Sequence, residues 1–418
     1  MIGATWLGLA LSVLAAPPIQ APPEVRVDSV PGSELTVYLL TFEPGELIWE
    51  RFGHNALWIR DHRTGRDWAY DYGRFSFGRT VTDNLRFIGR FAVGDLNYSM
   101  GEGDVRAYLA AYERAGRAIW SQELDLPPAA RAALRDFLEW NIRDENREYQ
   151  YNYYLDNCST RIRDALDRVI GGQLRAWADT VRTPWTYRDH TRRTTESGVA
   201  LYTALMLGLG QPVDRPISAW QEMFLPISLR PFLDRITIED PDGRRHPLVK
   251  EAKLLVASDR FLVPAEPARP TGRYLAVGSV VGLLLATLGR MASRSGRWRL
   301  AFGGAAVGWS FLAGLGGLVL AAIWGFTTHQ FSYANENLLQ LNLVSLALAA
   351  VLPAALWRGL RRRRLALGLA GLTAGLSIVG LVLKVLPSFY QDNFDAIALA
   401  LPVHLGLLVG LWLTDQPV

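Results

Sequence analysis

Cys158 is the only cysteine in the 418-residue chain, and its surroundings favour nucleophilic chemistry. Asn157 is a good N-cap residue, and apolar residues at helical spacing follow, so we expect Cys158 at the first position of a helix. There the positive end of the helix dipole favours the thiolate, which is the nucleophilic form of cysteine. Free backbone N–H groups at that end can stabilise an oxyanion when the thiolate attacks a carbonyl. The pattern therefore predicts a nucleophile for acyl chemistry.

A cysteine nucleophile needs a base nearby, and the chain has four histidines before its apolar C-terminal part. They are His54, His62, His190 and His246. The last three lie among charged residues, so we expect them to be solvated. His54 instead precedes the apolar run Asn55–Ile59, which is typical of a half-buried strand. We expect His54 to be the base for Cys158, and a core histidine without a catalytic role is the alternative.

The elements that position these two residues indicate an α+β domain. Four segments have the pattern of strands, at Leu35–Phe42, Phe52–Arg60, Trp68–Tyr72 and Ala118–Leu124. Helical spacing is found in Asp104–Ala115, in Pro127–Arg143 and in the segment from Cys158 to Gly171. We expect a small antiparallel sheet packed against helices, in a domain that spans residues 30–265.

Five apolar blocks follow the Pro-rich stretch Pro264–Pro270. They lie at 274–289, 300–324, 338–357, 365–386 and 396–413. A helix needs roughly 20 apolar residues to cross a bilayer. Buried core helices are the alternative, but five blocks in a row with polar residues confined to the gaps are hard to bury otherwise. The sequence therefore predicts a domain of five transmembrane helices at residues 274–414.

Basic residues in the gaps predict the orientation. They are Arg290, Arg294, Arg297 and Arg299 between the first two blocks, and Arg358 and Arg361–Arg364 between the third and fourth. The other two gaps contain neither Lys nor Arg. Because positive loops stay cytoplasmic, the α+β domain is expected outside the cell membrane and the C-terminus inside. These clusters also account for the net charge of +4, so no nucleic-acid partner is expected.

The N-terminus agrees with export of the domain. Ile2–Ala16 is a short apolar run before several prolines, as in a signal peptide or an N-terminal anchor over residues 1–23. The positive n-region of a signal peptide is missing, so both forms stay open, and either one exports the domain. A single cysteine in an oxidising compartment forms no intramolecular disulfide, so we expect Cys158 to be buried or used.

Several short motifs are spread over residues 35–235. They are Glu50–Leu57 (ERFGHNAL), Tyr70–Phe75 (YDYGRF), Tyr151–Tyr153 (YNY), Asp156–Arg161 (DNCSTR) and Phe224–Pro226 (FLP). Together these motifs resemble the extracytoplasmic domain of bacterial Lnb-type lipoprotein N-acylation proteins. The membrane part also resembles some members, through His329, Asn335 and Asn337 before an apolar span.

The resemblance implies a membrane-bound thiol transacylase in the bacterial inner membrane. His54 before Cys158, with Cys158 at the head of a helix, is also similar to circularly permuted papain-like enzymes that move acyl chains through a cysteine thioester. The implied substrate is a diacylglyceryl lipoprotein, a phospholipid, or both. Cys158 would take one acyl chain and pass it to the amine of the lipoprotein's N-terminal cysteine. The resemblance implies no metal and no cofactor.

Three further residues near the pair have predicted roles. Asp71 could orient His54 from the neighbouring strand, or it could only shape a turn. The resemblance implies an oxyanion held by the backbone N–H of Cys158, with Asn157 or Tyr72 as an additional side-chain donor.

Other candidates could contact lipid or substrate. Arg161 and Arg163 could meet a lipid phosphate or the substrate, whereas surface salt bridges with Asp164 or Asp167 are the other interpretation. Polar residues are also expected at the outer membrane face, where they could touch a headgroup or the exported domain, or be ordinary loop residues. They are His329, Asn335 and Asn337. Within the spans, His404 is a functional candidate by default, and Lys384 is expected to snorkel to the surface.

Two other functions fit parts of the sequence. A cysteine peptidase or amidase acting on the cell envelope would use the same nucleophile, but it needs no bundle of five spans. A non-enzymatic membrane scaffold would use the exported domain for binding, and it predicts that Cys158→Ser leaves function intact.

Overall fold

The computed structural model describes residues 30–76, 80–357 and 360–414. The predicted signal segment at residues 1–23 and Arg358 lie outside the described residues. An α+β domain with an antiparallel sheet comes first in the chain, and a helical region with five long apolar helices follows it. The predicted fold class is confirmed at this level.

Strands of the first domain form one large sheet and two small ones. The strands are β1 (Leu35–Phe42), β2 (His54–Asp61), β3 (Arg66–Arg74), β4 (Asn97–Asp104), β5 (Ile119–Leu124), β6 (Glu148–Gln150), β7 (Arg182–Thr186), β8 (Pro216–Ser218), β9 (Thr237–Glu239), β10 (Arg245–Pro247) and β11 (Val249–Val256). Seven of them form an antiparallel sheet in the order β11-β5-β1-β2-β3-β4-β6. The two small sheets pair β7 with β8 and β9 with β10.

Helices cover both faces of the main sheet. They are α1 (Val81–Val93), α2 (Val105–Arg114), α3 (Pro128–Asn141), α4 (Cys158–Val169), α5 (Gln173–Ala178), α6 (Tyr187–Thr195), α7 (Val199–Gly208), α8 (Ala219–Glu222) and α9 (Pro226–Leu233). Apolar residues of α3, α4 and α9 pack on one face of the sheet. Residues of α2 pack on the other face, against the side chains that alternate with the first set.

Four of the strands and three of the helices correspond to predicted segments, but the sheet is larger than expected. Neither β4 nor β11 was predicted, and α1 was also missed. The β4 sequence, Asn97–Asp104, is rich in Asn, Ser, Gly and Asp, which are poor strand formers. Its pairing with β3 and β6 therefore comes from the tertiary structure and not from local preference.

The C-terminal part contains the helices that correspond to the five predicted spans. They are α10 (Thr271–Ala292), α11 (Gly296–Phe326), α12 (Leu343–Trp357), α13 (Leu360–Val382) and α14 (Phe394–Leu413). Helices α10 and α14 pack closely through glycines, since a Cβ on Gly282 would lie 2.3 Å from the carbonyl oxygen of Pro402. The Arg-rich first turns of α11 and α13 lie at one end of this bundle, where the guanidinium of Arg299 lies over the ring of Trp357 at the end of α12.

The α+β domain packs on the opposite end of the bundle. There the Arg192 guanidinium lies 3.0 Å from the Asp392 carboxylate, and the Tyr202 hydroxyl donates to Asp395 at 2.9 Å. The amide of Asn337 donates to the carbonyl oxygen of Met206, near the end of α7, at 3.2 Å. The site-bearing domain is thus fixed at the end of the bundle away from the Arg-rich turns.

Candidate active site

Cys158 is the first residue of α4, as predicted, and it is nearly buried. The side-chain oxygen of Asn157 caps the helix by accepting from the N–H groups of Ser159 (2.8 Å) and Thr160 (3.0 Å). The backbone N–H groups in the first turn of a helix have no carbonyl partner within the helix. The N–H of Cys158 is one of them, so it is available to a ligand.

The Asn157 side chain also donates from Nδ2, to the carbonyl oxygens of Tyr153 (2.9 Å) and Phe224 (3.0 Å). Both ends of its amide are therefore occupied by protein groups. This corrects the expectation that Asn157 could donate to an oxyanion, because its role is to hold the N-terminus of α4 in place.

His54 is the first residue of β2, and its side chain is 16% exposed. Its Nε2 lies 3.0 Å from Oδ2 of Asp71 on the neighbouring strand β3. Cys158 lies near this ring, since its charge and hydrogen bonding raise the pKa of the imidazole. Because Nε2 is used by Asp71, Nδ1 is the ring nitrogen that remains for the thiol. Three residues far apart in sequence thus form a Cys–His–Asp chain.

Asp71 is buried and held by two further groups. Its Oδ1 accepts from the Tyr108 hydroxyl on α2 at 2.8 Å and from Nε of Arg74 at 2.9 Å. These contacts fix the carboxylate that faces His54, so the geometry suits the orienting role better than the alternative of a turn residue. Tyr108 did not stand out in the sequence, and Arg74 was named only within the motif Tyr70–Phe75, because their contact with Asp71 exists only in the folded chain.

The environment of His54 favours its protonated form. Burial lowers the pKa of the imidazole, but Tyr112 and Cys158 raise it by charge, and hydrogen bonds to Asp71 and Cys158 raise it further. The pKa of His54 is therefore raised well above its ordinary value of 6.5. The imidazole therefore keeps its second proton over a wider pH range than a free histidine does.

Tyr72 packs in the same cluster as Cys158, beside the ring of Tyr149, but its hydroxyl is engaged within the protein. The Tyr72 hydroxyl donates to Oδ1 of the buried Asn141 at 2.7 Å. We therefore withdraw Tyr72 as an oxyanion donor.

The tyrosine hydroxyl that lies close to Cys158 is that of Tyr149. Its buried hydroxyl has no hydrogen-bond partner among the described residues. A Cβ added to Gly73 would lie 3.9 Å from this hydroxyl and 3.6 Å from Cβ of Cys158, so all three groups meet at one point. Burial raises the pKa of Tyr149, with smaller effects of Tyr151 and Cys158 in the same direction, so the phenol stays a donor.

Arg161 is engaged within the protein. It forms a two-point ion pair with Asp156, at 2.5 and 2.7 Å, and lies 4.1 Å above the ring of Tyr149. Its partner is thus Asp156 and not Asp164 or Asp167. The neighbouring Asp164 pairs with Arg163 instead. Contact of Arg161 with a lipid phosphate stays an untested prediction.

Two of the other histidines are less exposed than predicted. His62 is exposed in its turn and contacts the Thr36 hydroxyl. His190 is instead fully buried, with Nε2 3.3 Å from the Glu222 carboxylate, and His246 is buried beside Asp240 at 3.0 Å. The prediction that both are solvated is wrong, because each is buried by the fold and faces a carboxylate, Glu222 from a later helix for His190 and the nearby Asp240 for His246.

The outer-loop residues contact the α+β domain. His329 lies 2.9 Å from the carbonyl oxygen of Phe91, with its ring near Tyr153. Asn335 and Asn337 are buried, and both donate to the carbonyl oxygen of Leu207. The two asparagines therefore bind the α+β domain, and their side-chain amides are used there and not on a lipid headgroup.

The two ionisable groups in the spans are both buried. Lys384 does not snorkel, because it forms an ion pair with Glu336 and donates to the carbonyl oxygen of Gln391. His404 lies deep in the bundle, with Nδ1 2.6 Å from the Ser377 hydroxyl. The pairing of Lys384 with a carboxylate across two loops was not visible in the sequence.

A cavity of about 1040 Å³ lies at the far end of α4, between Phe137, Gly171 and Ile238, and contains neither Cys158 nor His54. We place the site by the hydrogen-bonded Cys–His–Asp chain and not by this cavity, because the cavity lacks such a constellation. Among the described residues, no group of three or more His, Cys, Asp or Glu side chains could hold a metal ion.

The fold and the site together describe a multi-pass membrane protein whose α+β domain carries a Cys–His–Asp chain. Residues 22–193 match the family model of the Lnb N-terminal periplasmic domain. The matched segment contains Cys158, His54 and Asp71. Comparison with curated proteins and with solved structures gave no match. The circularly permuted papain-like arrangement therefore stays a prediction.

Proposed function

We propose that this protein transfers an acyl chain from the diacylglyceryl group of a lipoprotein to the amine of the lipoprotein's N-terminal cysteine. The observation that carries the proposal is the Cys158–His54–Asp71 chain at the head of α4, in a periplasmic domain fixed on five apolar helices. A nucleophile of this kind suits acyl transfer, and a bundle in the bilayer suits a substrate whose acyl chains lie there.

In the first step, Sγ of Cys158 attacks an ester carbonyl carbon. A C–S bond forms and the C–O bond to glycerol breaks, while the thiol proton reaches the leaving glycerol oxygen through His54. The developing oxyanion accepts from the N–H of Cys158 and from the hydroxyl of Tyr149. The result is an acyl thioester and a lyso-type lipoprotein.

In the second step, the α-amine of the lipoprotein attacks the thioester. A C–N bond forms and the C–S bond breaks, and one amine proton returns through His54 to the sulfur. The product is an N-acyl lipoprotein with one fewer O-acyl chain. Dividing a slow ester-to-amide transfer into two steps is what covalent catalysis achieves.

We also propose the topology that this reaction needs. The Arg-rich first turns of α11 and α13 lie at the end of the bundle opposite to the periplasmic domain. By the positive-inside rule this supports a C-terminus in the bacterial cytoplasm. The membrane would be the inner membrane. Tagging of the C-terminus for protease protection in spheroplasts would test this orientation.

The test of the function uses the purified full chain and a synthetic diacylglyceryl lipopeptide. Mass spectrometry should show an unchanged total mass and a product whose amine is acylated, and Cys158→Ala and His54→Ala should each abolish this change. His62→Ala is the matched control, because His62 lies exposed on the same domain, and it should retain full activity. Full activity of Cys158→Ala would end the proposal.

A cysteine peptidase or amidase is distinguished in the same experiment. It would shorten the peptide and leave the acyl chains in place. A scaffold would change neither part of the lipopeptide, even at high protein concentration.

A further inference from the structure

Helix α1 (Val81–Val93) has an apolar face that nothing in the described protein covers. None of its residues is buried. Val81, Leu85 and Ile88 lie on one side at helical spacing and are 75%, 64% and 58% exposed. Helices of soluble proteins seldom leave so continuous an apolar stripe in water.

The opposite side of α1 is charged. Arg86 and Arg90 lie there, across the helix from Leu85 and Ile88, together with Asp83 near the N-terminus. An apolar face opposed by basic residues is typical of helices that lie in the interface of a bilayer. Arginines at that depth also attract the headgroups of anionic lipids.

The position of α1 identifies the membrane as its partner. The N–H of Thr328 donates to the carbonyl oxygen of Val93 at 3.0 Å, and His329 contacts that of Phe91 at 2.9 Å. Thr328 comes just after Thr327, the C-cap of α11. This helix is long and apolar enough to span a bilayer, and its last residue, Phe326, is 85% exposed. The C-terminal end of α1 is therefore tied to the point where a span leaves the membrane.

A row of aromatic rings leads from α1 to the nucleophile. The Phe87 ring of α1 lies 5.8 Å from Phe75, which lies 5.2 Å from Tyr98. Tyr98 stacks on Tyr151 at 4.3 Å, and Tyr151 in turn borders Gly73, whose backbone lies against Cys158. The rings of this row present an apolar surface, and an acyl chain can lie along that surface between the membrane interface and the thiol.

We propose that α1 lies in the outer leaflet interface of the membrane, and that the aromatic row beside it receives the acyl chain destined for Cys158. The first half of this proposal concerns a lipid surface alone. The second half rests on the proposed function. A substrate class follows from both: lipids whose acyl chains stay in the bilayer until they reach the row, and not water-soluble esters.

The lipid contact is tested without any activity measurement. In a Cys158→Ser background, single substitutions Ile88→Cys, Arg86→Cys and Leu254→Cys carry a nitroxide label, and the full chain is placed in vesicles of phosphatidylethanolamine and phosphatidylglycerol. Leu254 serves as control because it is an exposed apolar residue on β11, at the far edge of the sheet. The label at Ile88 should be accessible to oxygen and protected from a water-soluble nickel complex, whereas the other two should show the reverse. Equal nickel accessibility at Ile88 and Leu254 would overturn the placement.

The delivery of the chain is tested by activity on two donors. Leu85→Gln/Ile88→Gln should transfer acyl groups from a vesicle-borne diacyl lipopeptide about tenfold more slowly. Self-acylation of Cys158 by a short-chain, water-soluble thioester should be unchanged. The control Leu254→Gln/Leu255→Gln should match the wild type with both donors. An equal loss with both donors would refute delivery by α1, and an unreactive wild type would instead refute the proposed function and leave the labelling result standing.

Discussion

At the scale of residues, the site depends on hydrogen bonds that hold Asp71 and His54 beside Cys158. Tyr108 and Arg74 hold the Asp71 carboxylate, and the carboxylate holds Nε2 of His54, which leaves Nδ1 for the thiol. In the proposed reaction, an imidazole fixed in this way would present the same nitrogen to sulfur in every turnover, which is the purpose of an orienting acid.

Asp71→Asn should therefore slow acyl transfer by roughly 10²- to 10⁴-fold, because an amide favours the wrong tautomer of His54. The substrate's KM should change little. Steady-state rates with the diacyl lipopeptide measure both quantities. Asp67→Asn, on the same strand but paired with Arg60, is the control and should keep its rate. A rate for Asp71→Asn within a factor of about two of wild type would show that Asp71 only shapes the strand.

Tyr149→Phe should lower kcat by about 10²-fold, the usual effect of losing one oxyanion donor. Because the Tyr149 hydroxyl has no protein partner among the described residues, its loss should leave thermal stability almost unchanged. Tyr72→Phe should do the opposite: it leaves the buried Asn141 short of a donor, at a cost of about 1–3 kcal/mol, and should spare the rate. Similar losses of rate in both variants would contradict these assignments.

The raised pKa of His54 makes stability depend on pH. Its folded pKa lies above the ordinary value of 6.5, so the stabilisation is complete below that pH and disappears as pH rises through the folded pKa. The Tm difference between wild type and His54→Gln, measured in detergent, should therefore be largest below pH 6.5 and should shrink in alkaline solution. A difference that grows with pH would show that His54 is neutral in the folded protein.

At the scale of elements, the N-terminus of α4 carries Cys158, and Asn157 holds this end of the helix in place. This amide caps the helix and also satisfies the carbonyl oxygens of Tyr153 and Phe224. Asn157→Ala should lower the free energy of unfolding by roughly 2–4 kcal/mol, through loss of the cap and of partners for buried carbonyls. Thermal unfolding measures this loss, and Asn146→Ala in the loop after α3 is the control. A change below about 0.5 kcal/mol would show that the cap is dispensable.

Local sequence predicted some elements well and others not at all. Strand β1 and helices α2 to α4 have clear alternation, helical spacing or caps, so their bounds could be predicted to within about two residues. The bounds of strand β4 could not be predicted, because its extended conformation depends on pairing with β3 and β6. The nucleophile and His54 could be named from residue type and spacing. Tyr149 could not be separated from the other tyrosines around it, since only packing decides which hydroxyl is left unpaired.

At the scale of the whole molecule, the periplasmic domain packs on one end of the apolar helices. Asn335 and Asn337 donate to carbonyl oxygens near the end of α7, the neighbouring Glu336 pairs with Lys384, and Thr328 ties α1 to α11. These contacts fix the domain that carries Cys158 on the helices. The sequence predicted two parts and their order, but not this junction, which depends on side chains more than 100 residues apart.

The central claim is that Cys158 carries the acyl chain between donor and acceptor. The most direct measurement is intact-protein mass spectrometry of the full chain after brief incubation with a lipopeptide whose N-terminal amine is blocked, so that the second step cannot occur. We expect one added acyl group on Cys158 that neutral hydroxylamine removes, and no addition in Cys158→Ala. Unmodified Cys158, under conditions in which the unblocked lipopeptide is N-acylated, would contradict the account.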